Sequence, residues 1–165
     1  MLKNLIRILL TVCSILAAWY LPKKSLVKYL PVSLFSSGIL LFEMLYLTVH
    51  KLWKAKGGAG VMMCNTSVLI VGPYFFANLW VFHLSKGKFL PYALINIIAD
   101  YIYAFPIVTL FTKLNFFKLK ISQTVFFWII ISNAFLNYAF QKLYEKSANN
   151  DEQSVKNHSP KYGDA

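Results

Sequence analysis

The sequence predicts an all-α integral membrane protein, a helical bundle of about five transmembrane helices. The chain has 165 residues, of which 58% are hydrophobic and only 14% are charged, whereas about a quarter of the residues in a soluble domain are charged. The charged residues are crowded between five long apolar runs and are almost absent from the runs themselves. Runs of this length without two-residue alternation predict membrane-spanning helices and not the strands of a barrel.

Each predicted span is close to the roughly 20 residues that a helix needs to cross the hydrocarbon layer. The five spans are Leu5–Leu21, Tyr29–Val49, Val61–Phe82, Phe89–Phe111 and Ile121–Phe140. The first span resembles a signal peptide, because a basic start precedes an apolar stretch. However, Trp19 and Tyr20 stand where a cleavage site requires small residues. We therefore interpret it as an uncleaved first helix.

The composition changes near residue 147. Residues 147–165 are polar and contain almost no aliphatic side chains, so they cannot bury enough apolar surface to offset the entropy of ordering. The sequence therefore predicts two regions, a transmembrane helical domain over residues 1–146 and a disordered polar tail over residues 147–165.

The net charge is +11, from 17 basic and 6 acidic residues. The lysines stand in short runs that flank the apolar segments, such as PKKSLVK, HKLWKAK and FFKLK. This pattern does not form the basic, aromatic-bearing face of a nucleic-acid-binding domain. Anionic lipid headgroups are the predicted partner of these loops. The basic residues divide almost evenly between the two membrane sides, so the first helix decides the orientation and places the N-terminus inside.

Two carboxylates lie inside the apolar runs, Glu43 in the second span and Asp100 near the midpoint of the fourth. An acid at the centre of a membrane helix costs about 2.5–3.5 kcal/mol to insert, so it usually faces a protein interior, a partner or a pathway. No lysine or arginine lies mid-span to neutralise either one. Each acid is then either protonated and hydrogen-bonded to an amide, or compensated by a cation, a water-filled cavity or a ligand amine.

Other polar residues repeat at helical spacing near these acids. Asn96, Asp100 and Tyr103 are four and three residues apart and therefore share one helix face. Asn133 and Asn137 belong to an amide stripe spaced by fours in the last span. We predict an intramembrane polar network made of Glu43, Asn96, Asp100, Tyr103, Asn133 and Asn137.

No catalytic, cofactor-binding or metal-binding residue is predicted. The motifs HExxH, GxSxG and GxxxxGK[ST] are absent. Glu43 and His50 are two helical turns apart, which is too far for both to bind one ion from a straight helix. The two cysteines, Cys13 and Cys64, show no metal-ligand or disulfide spacing and are interpreted as small buried hydrophobic residues. The sequence therefore predicts that the chain is not an enzyme and uses no cofactor.

Three stretches carry a family resemblance: KYLPVSLFSS, LPYALINIIADYIYAFPIV and the Trp19–Lys23 end of the first span. They resemble a group of uncharacterised small multi-pass membrane proteins of spore-forming Gram-positive bacteria. The resemblance covers about Leu5 to Lys146 and does not extend to the tail. It implies a multi-pass α-helical bundle in a bacterial plasma membrane, and it transfers no catalytic residue.

Two functional hypotheses follow, with a membrane enzyme acting on lipids as a weaker third. The first is a non-enzymatic membrane component whose polar network holds the bundle together or accepts a partner helix, from another membrane protein or from a second copy of the chain. The second is a small proton- or cation-coupled transporter, with Asp100 as the central carrier and Glu43 as a relay.

Overall fold

The computed structural model describes residues 2–55, 58–114 and 117–158, which form helices and one small sheet. The α-helices are α1 (Leu2–Tyr20), α2 (Lys23–Val49), α3 (Gly58–Leu69), α4 (Phe75–Ser85), α5 (Phe89–Ile102), α6 (Val108–Lys113) and α7 (Gln123–His158). Two π-helical segments, π1 (Ile70–Tyr74) and π2 (Tyr103–Ile107), join α3 to α4 and α5 to α6. The predicted all-α helical bundle is confirmed.

Among the residues that the structure describes, four helical segments are long and apolar enough to cross a membrane: Lys23–Val49, Thr66–Ser85, Phe89–Lys113 and Gln123–Asn150. They correspond to the last four predicted spans and make the chain a multi-pass membrane protein. The first predicted span corresponds to α1, a helix of 19 residues. Several side chains of α1 lie outside the described part of the chain, so its apolar character stays a sequence prediction.

The membrane helices form a four-sided bundle. Helix α2 packs against α4 and α7, and α5 packs against the same two helices, so α2 and α5 are diagonal to each other. Helix α1 lies outside this square against π1 and α4, where the Trp80 indole N–H donates to the Ala17 carbonyl at 3.0 Å. The faces of α2, α4, α5 and α7 that point inward therefore share one central axis.

Each π segment contains a proline at its fourth position, Pro73 in π1 and Pro106 in π2. A proline inside an α-helix lacks the N–H of the helical hydrogen bond, and its ring clashes with the carbonyl four residues earlier. The wider turn of a π-helix relieves that clash and changes the direction of the side chains next to it. Tyr74 and Tyr103 both belong to these widened turns.

A two-stranded antiparallel sheet closes one end of the bundle. Strand β1 (Trp53–Ala55) follows α2, and strand β2 (Phe117–Leu119) precedes α7, with Lys54 directly opposite Lys118. Trp53 is buried and meets Phe126 edge to face with ring centroids 5.9 Å apart. The sequence did not predict this sheet, because three-residue strands are too short to show a two-residue period. We call this end of the bundle the sheet end.

The last helix extends into the predicted tail, and the disorder of that tail stays a prediction. Helix α7 continues through residue 147 to His158, so the first part of the tail is helical; residues 159–165 lie outside the described part of the chain. The physical reason is that extending an existing helix needs no new nucleation. Residues 147–158 contain only four good helix formers, Ala148, Glu152, Gln153 and Lys156, so continuity with the preceding helix is the main reason for the extension.

Candidate functional site

Glu43 and Asn133 meet directly between α2 and α7. The Asn133 amide N–H donates to Glu43 Oε2 at 2.7 Å. Asn133 is buried and Glu43 is half-buried. A hydrogen bond of this length to a carboxyl oxygen satisfies a polar group that the surrounding apolar side chains cannot. The pair therefore links two neighbouring helices at the level of the first membrane acid.

Ser36 and Tyr74 form a second junction, one level further along the axis. The Ser36 and Tyr74 hydroxyls are hydrogen-bonded at 2.6 Å, and the Asn137 amide N–H donates to Ser36 Oγ at 2.7 Å. These contacts join α2, π1 and α7 at one point. Tyr74 was missed in the sequence analysis; the signal that marks it is the adjacent Pro73, since proline-bearing π turns recur at functional sites.

Asp100 is placed differently from Glu43. It is half-buried on α5. Among the residues that the structure describes, no side chain or backbone group makes a hydrogen bond with the Asp100 carboxyl.

Asn96 and Tyr103 do not cross-link helices in the way the predicted network required. The Asn96 amide N–H donates to the Tyr92 carbonyl of its own helix at 2.8 Å, which is the usual local alternative for a short polar side chain. Tyr103 packs its ring against Phe126 of α7, with centroids 6.0 Å apart. The contact between α5 and α7 is made by Tyr92, whose hydroxyl donates to the Ala134 carbonyl at 3.0 Å.

Several buried polar atoms have no well-aligned hydrogen-bond partner within the described ranges. They are Ser33 Oγ, Ser37 Oγ, Asn78 Nδ2, Asn137 Oδ1 and Gln141 Oε1. Burial of an amide or hydroxyl without a partner costs about 1–3 kcal/mol in proteins. The bundle interior therefore contains buried polar atoms beyond those that form the cross-helix hydrogen bonds.

The opposite end of the bundle, which we call the Glu145 end, carries an ion cluster. Glu145 of α7 is 3.2 Å from the Lys28 ammonium and 3.1 Å from the Lys142 ammonium. Gln141 donates its amide N–H to Glu145 Oε1 at 3.2 Å. The cluster thus connects the buried stripe of α7 to groups at the membrane surface.

A serine and a histidine also meet near the Glu145 end. Ser25 Oγ lies 2.7 Å from His83 Nδ1, a distance that suits a nucleophile and its base. In the described part of the chain, no carboxylate lies within ion-pair distance of His83 to orient its ring. Ser25 lies in the first turn of α2, and we interpret the pair as a structural contact between α2 and α4.

No metal site emerges from the residues that the structure describes. Within them, no three His, Cys, Asp or Glu side chains are grouped closely enough to hold an ion. His50, which the sequence analysis considered beside Glu43, packs its ring against Tyr46 at 4.3 Å between centroids. The side chains of the candidate site can therefore form hydrogen bonds and exchange protons, through two carboxyls, several amides and tyrosine hydroxyls.

Comparison of the chain with protein-family models, with curated proteins and with solved structures gives no match.

Proposed function

We propose that the chain is a non-enzymatic component of a bacterial plasma membrane, in which a buried polar network holds the membrane helices in register. The observation that carries the proposal is the pair of cross-helix junctions, Glu43 with Asn133 and Ser36 with Asn137 and Tyr74. Interhelical hydrogen bonds in membranes contribute about 0.6 kcal/mol on average and up to about 1.7 kcal/mol. Two adjacent junctions therefore favour one helix register over its neighbours.

The plasma-membrane location and the absence of catalysis rest on separate arguments. The location follows from the resemblance to multi-pass proteins of spore-forming bacteria, and the N-terminus is proposed to lie inside. The absence of catalysis is supported by the missing motifs and by the Ser25–His83 contact, where no carboxylate of the described residues completes a triad.

Asn133→Ala tests the network, and the adjacent Ser132→Ala is its matched control. Loss of the Asn133 amide leaves the Glu43 carboxyl without that donor, which should lower the free energy of unfolding by about 1–3 kcal/mol. Ser132 is exposed and bonds only the Trp128 carbonyl of its own helix at 2.8 Å, so its replacement should change stability by less than about 0.5 kcal/mol. Reversible unfolding in mixed detergent micelles measures both, and equal losses would refute the proposal.

The sheet end is proposed to bind anionic lipid headgroups. Lys54 and Lys118 stand directly opposite each other across the sheet, an unfavourable arrangement for like charges. Further exposed lysines surround them: Lys51, Lys113 and Lys120. The sequence has no acidic residue between Glu43 and Asp100 or between Asp100 and Glu145. These loops therefore contain no carboxylate that could offset the repulsion between the lysines. Lipid phosphates supply the compensating charge.

Removing the two opposed lysines should weaken headgroup binding. Each juxtamembrane lysine contributes about 1 kcal/mol near an anionic surface, so K54Q with K118Q should reduce affinity for phosphatidylglycerol by roughly 30-fold. The comparison variant is K23Q with K24Q, which removes the same charge from exposed lysines at the other end that are not paired across a sheet and should therefore lose fewer lipids. Native mass spectrometry of protein purified with phosphatidylglycerol counts the lipids retained. The site is absent if the comparison variant loses as many lipids as the test variant.

Proton- or cation-coupled transport is the second candidate function. It is favoured by Asp100, which is half-buried near the middle of the Phe89–Lys113 span and makes no hydrogen bond within the described residues. A carboxyl held by a fixed amide is suited to holding helices, whereas one without such a partner is free to exchange a proton or a cation. In this alternative Asp100 is the carrier and Glu43 the relay.

A further inference from the structure

The buried polar side chains occupy only one half of the bundle axis. Contacts across antiparallel helices fix three levels: Glu43 with Asn133, Ser36 with Asn137 and Tyr74, and Lys28 with Glu145. Ser33, one turn from Ser36, lies between the second and third levels on α2. Gln141, one turn beyond Asn137 on α7, lies at the same height. Polar groups therefore follow one another from the membrane acids to the Glu145 end.

Buried apolar residues lie in both halves, and those of the polar half include Tyr29, Phe82 and Tyr92. The half toward the sheet end differs because it lacks buried polar side chains among the described residues. Beyond the acids, toward the sheet end, the buried cluster consists of Met44, Leu47, Trp53, Ile70, Ala104, Val108 and Phe126. Within the described residues, no fully buried polar side chain lies among them. Glu43 and Asp100 thus stand at the boundary between a polar half and an apolar half.

The unpartnered atoms in the polar half indicate what occupies it. Ser33, Ser37, Asn78, Asn137 and Gln141 are between 0% and 7% exposed. The Asn78 amide N–H needs an acceptor, whereas the amide oxygens of Asn137 and Gln141 need donors. Water supplies both, and a buried water typically bonds about three such groups.

We infer that the polar half of the axis is a water-lined, proton-conducting path that connects Glu43 and Asp100 to the aqueous phase at the Glu145 end only. The apolar cluster closes the route to the sheet end. Lys28, Lys142 and Glu145 surround the mouth. Around the acids, the titratable groups that face inward are Tyr74, Tyr92 and Tyr103. The path goes beyond the proposed function, because it exists whether the acids only hold helices or also release protons.

Introduced cysteines test the path by their reactivity. A thiol reacts with a methanethiosulfonate only as its thiolate, which requires water and proton exchange at the site. We would place S37C, and separately L47C as the control in the buried apolar cluster, in full-length chain carrying C13A and C64A. A serine-to-cysteine substitution nearly keeps the shape of the side chain. Elution of each variant from a size-exclusion column at the wild-type volume verifies that it is folded. K23C and K54C report which bundle end faces the outside of each vesicle.

The expected result is one-sided. A small, membrane-impermeant methanethiosulfonate should modify S37C from the Glu145 end at least tenfold faster than L47C from either end. Adding S33L to S37C should slow that reaction at least tenfold, since leucine replaces a polar group of the path. Modification of S37C from the sheet end, or no modification from either end, would overturn the inference. Neither outcome changes the stability difference between Asn133→Ala and Ser132→Ala, which tests the polar network. Failure of the path and failure of the proposed function can therefore be distinguished.

Discussion

Tyr74→Ala is expected to destabilise the bundle more than any other single change at the candidate site. Removal of a packed aromatic ring costs about 3–5 kcal/mol in protein cores. Loss of its hydroxyl removes the 2.6 Å hydrogen bond to Ser36, which keeps only the bond from the Asn137 amide. That loss adds about 1–3 kcal/mol. Because the Tyr74 hydroxyl belongs to the junction of α2, π1 and α7, both losses fall where three helices meet.

A pair of matched variants separates the ring from the hydroxyl. Tyr74→Phe keeps the ring and should lose only the hydroxyl contribution, about 1–3 kcal/mol. Tyr101 is a suitable control, because it is 56% exposed and its ring contacts Phe105 and Phe127 without a described hydroxyl bond. Tyr101→Phe should change the free energy of unfolding by less than about 0.5 kcal/mol. If unfolding in mixed micelles gives Tyr74→Phe and Tyr101→Phe the same stability, the junction does not hold the helices.

The membrane helices were predictable because their signal is long and repeated. An apolar run of some 20 residues has few alternatives in a chain with this charge distribution, so four spans were located from the sequence alone. The residue spacing also placed Asn133 and Asn137 on one face of α7, and both are buried inside the bundle. Helical periodicity predicts which residues share a face of a helix. Whether that face is buried depends on how the helices pack.

The partners of the polar residues were not predictable in the same way. Asn96 and Asn133 look equivalent in sequence, but Asn96 bonds its own helix and Asn133 reaches α2. Which of these occurs depends on the distance and rotation of the neighbouring helix, quantities that periodicity does not contain. Tyr74 was missed for a related reason, since the π turn at Pro73 shifts its direction away from that of a regular α-helix.

Asp100 and Glu43 also looked alike in the sequence, and the structure separates them. Glu43 accepts a hydrogen bond from Asn133 at 2.7 Å, whereas Asp100 has none from the described residues. A difference in function should follow that difference in surroundings. Glu43 is suited to a structural role that glutamine can take over, whereas any proton transfer through the bundle must depend on Asp100.

Under the transporter hypothesis, Asp100→Asn is expected to abolish proton flux through the protein while leaving its fold intact. Asparagine has nearly the same shape as aspartate but cannot release a proton, so flux should fall to the level of empty liposomes. With no hydrogen bond to break within the described residues, the free energy of unfolding should change by less than about 1 kcal/mol. Liposomes loaded with a pH-sensitive dye, given a pH gradient and a potassium ionophore, measure the flux.

The controls distinguish transport from a purely structural role for Asp100. Glu152→Gln removes a carboxylate from the part of α7 beyond the Gln123–Asn150 span and should change flux by less than about twofold. Asp100→Leu removes both the carboxyl and its polarity. If Asp100 has a structural role, Asp100→Leu should unfold the bundle in detergent, whereas Asp100→Asn should change neither the fold nor the flux. Wild-type flux equal to that of empty liposomes eliminates the transporter. Flux that survives in Asp100→Asn assigns proton movement to another group, because an amide at the midpoint of the membrane cannot carry it.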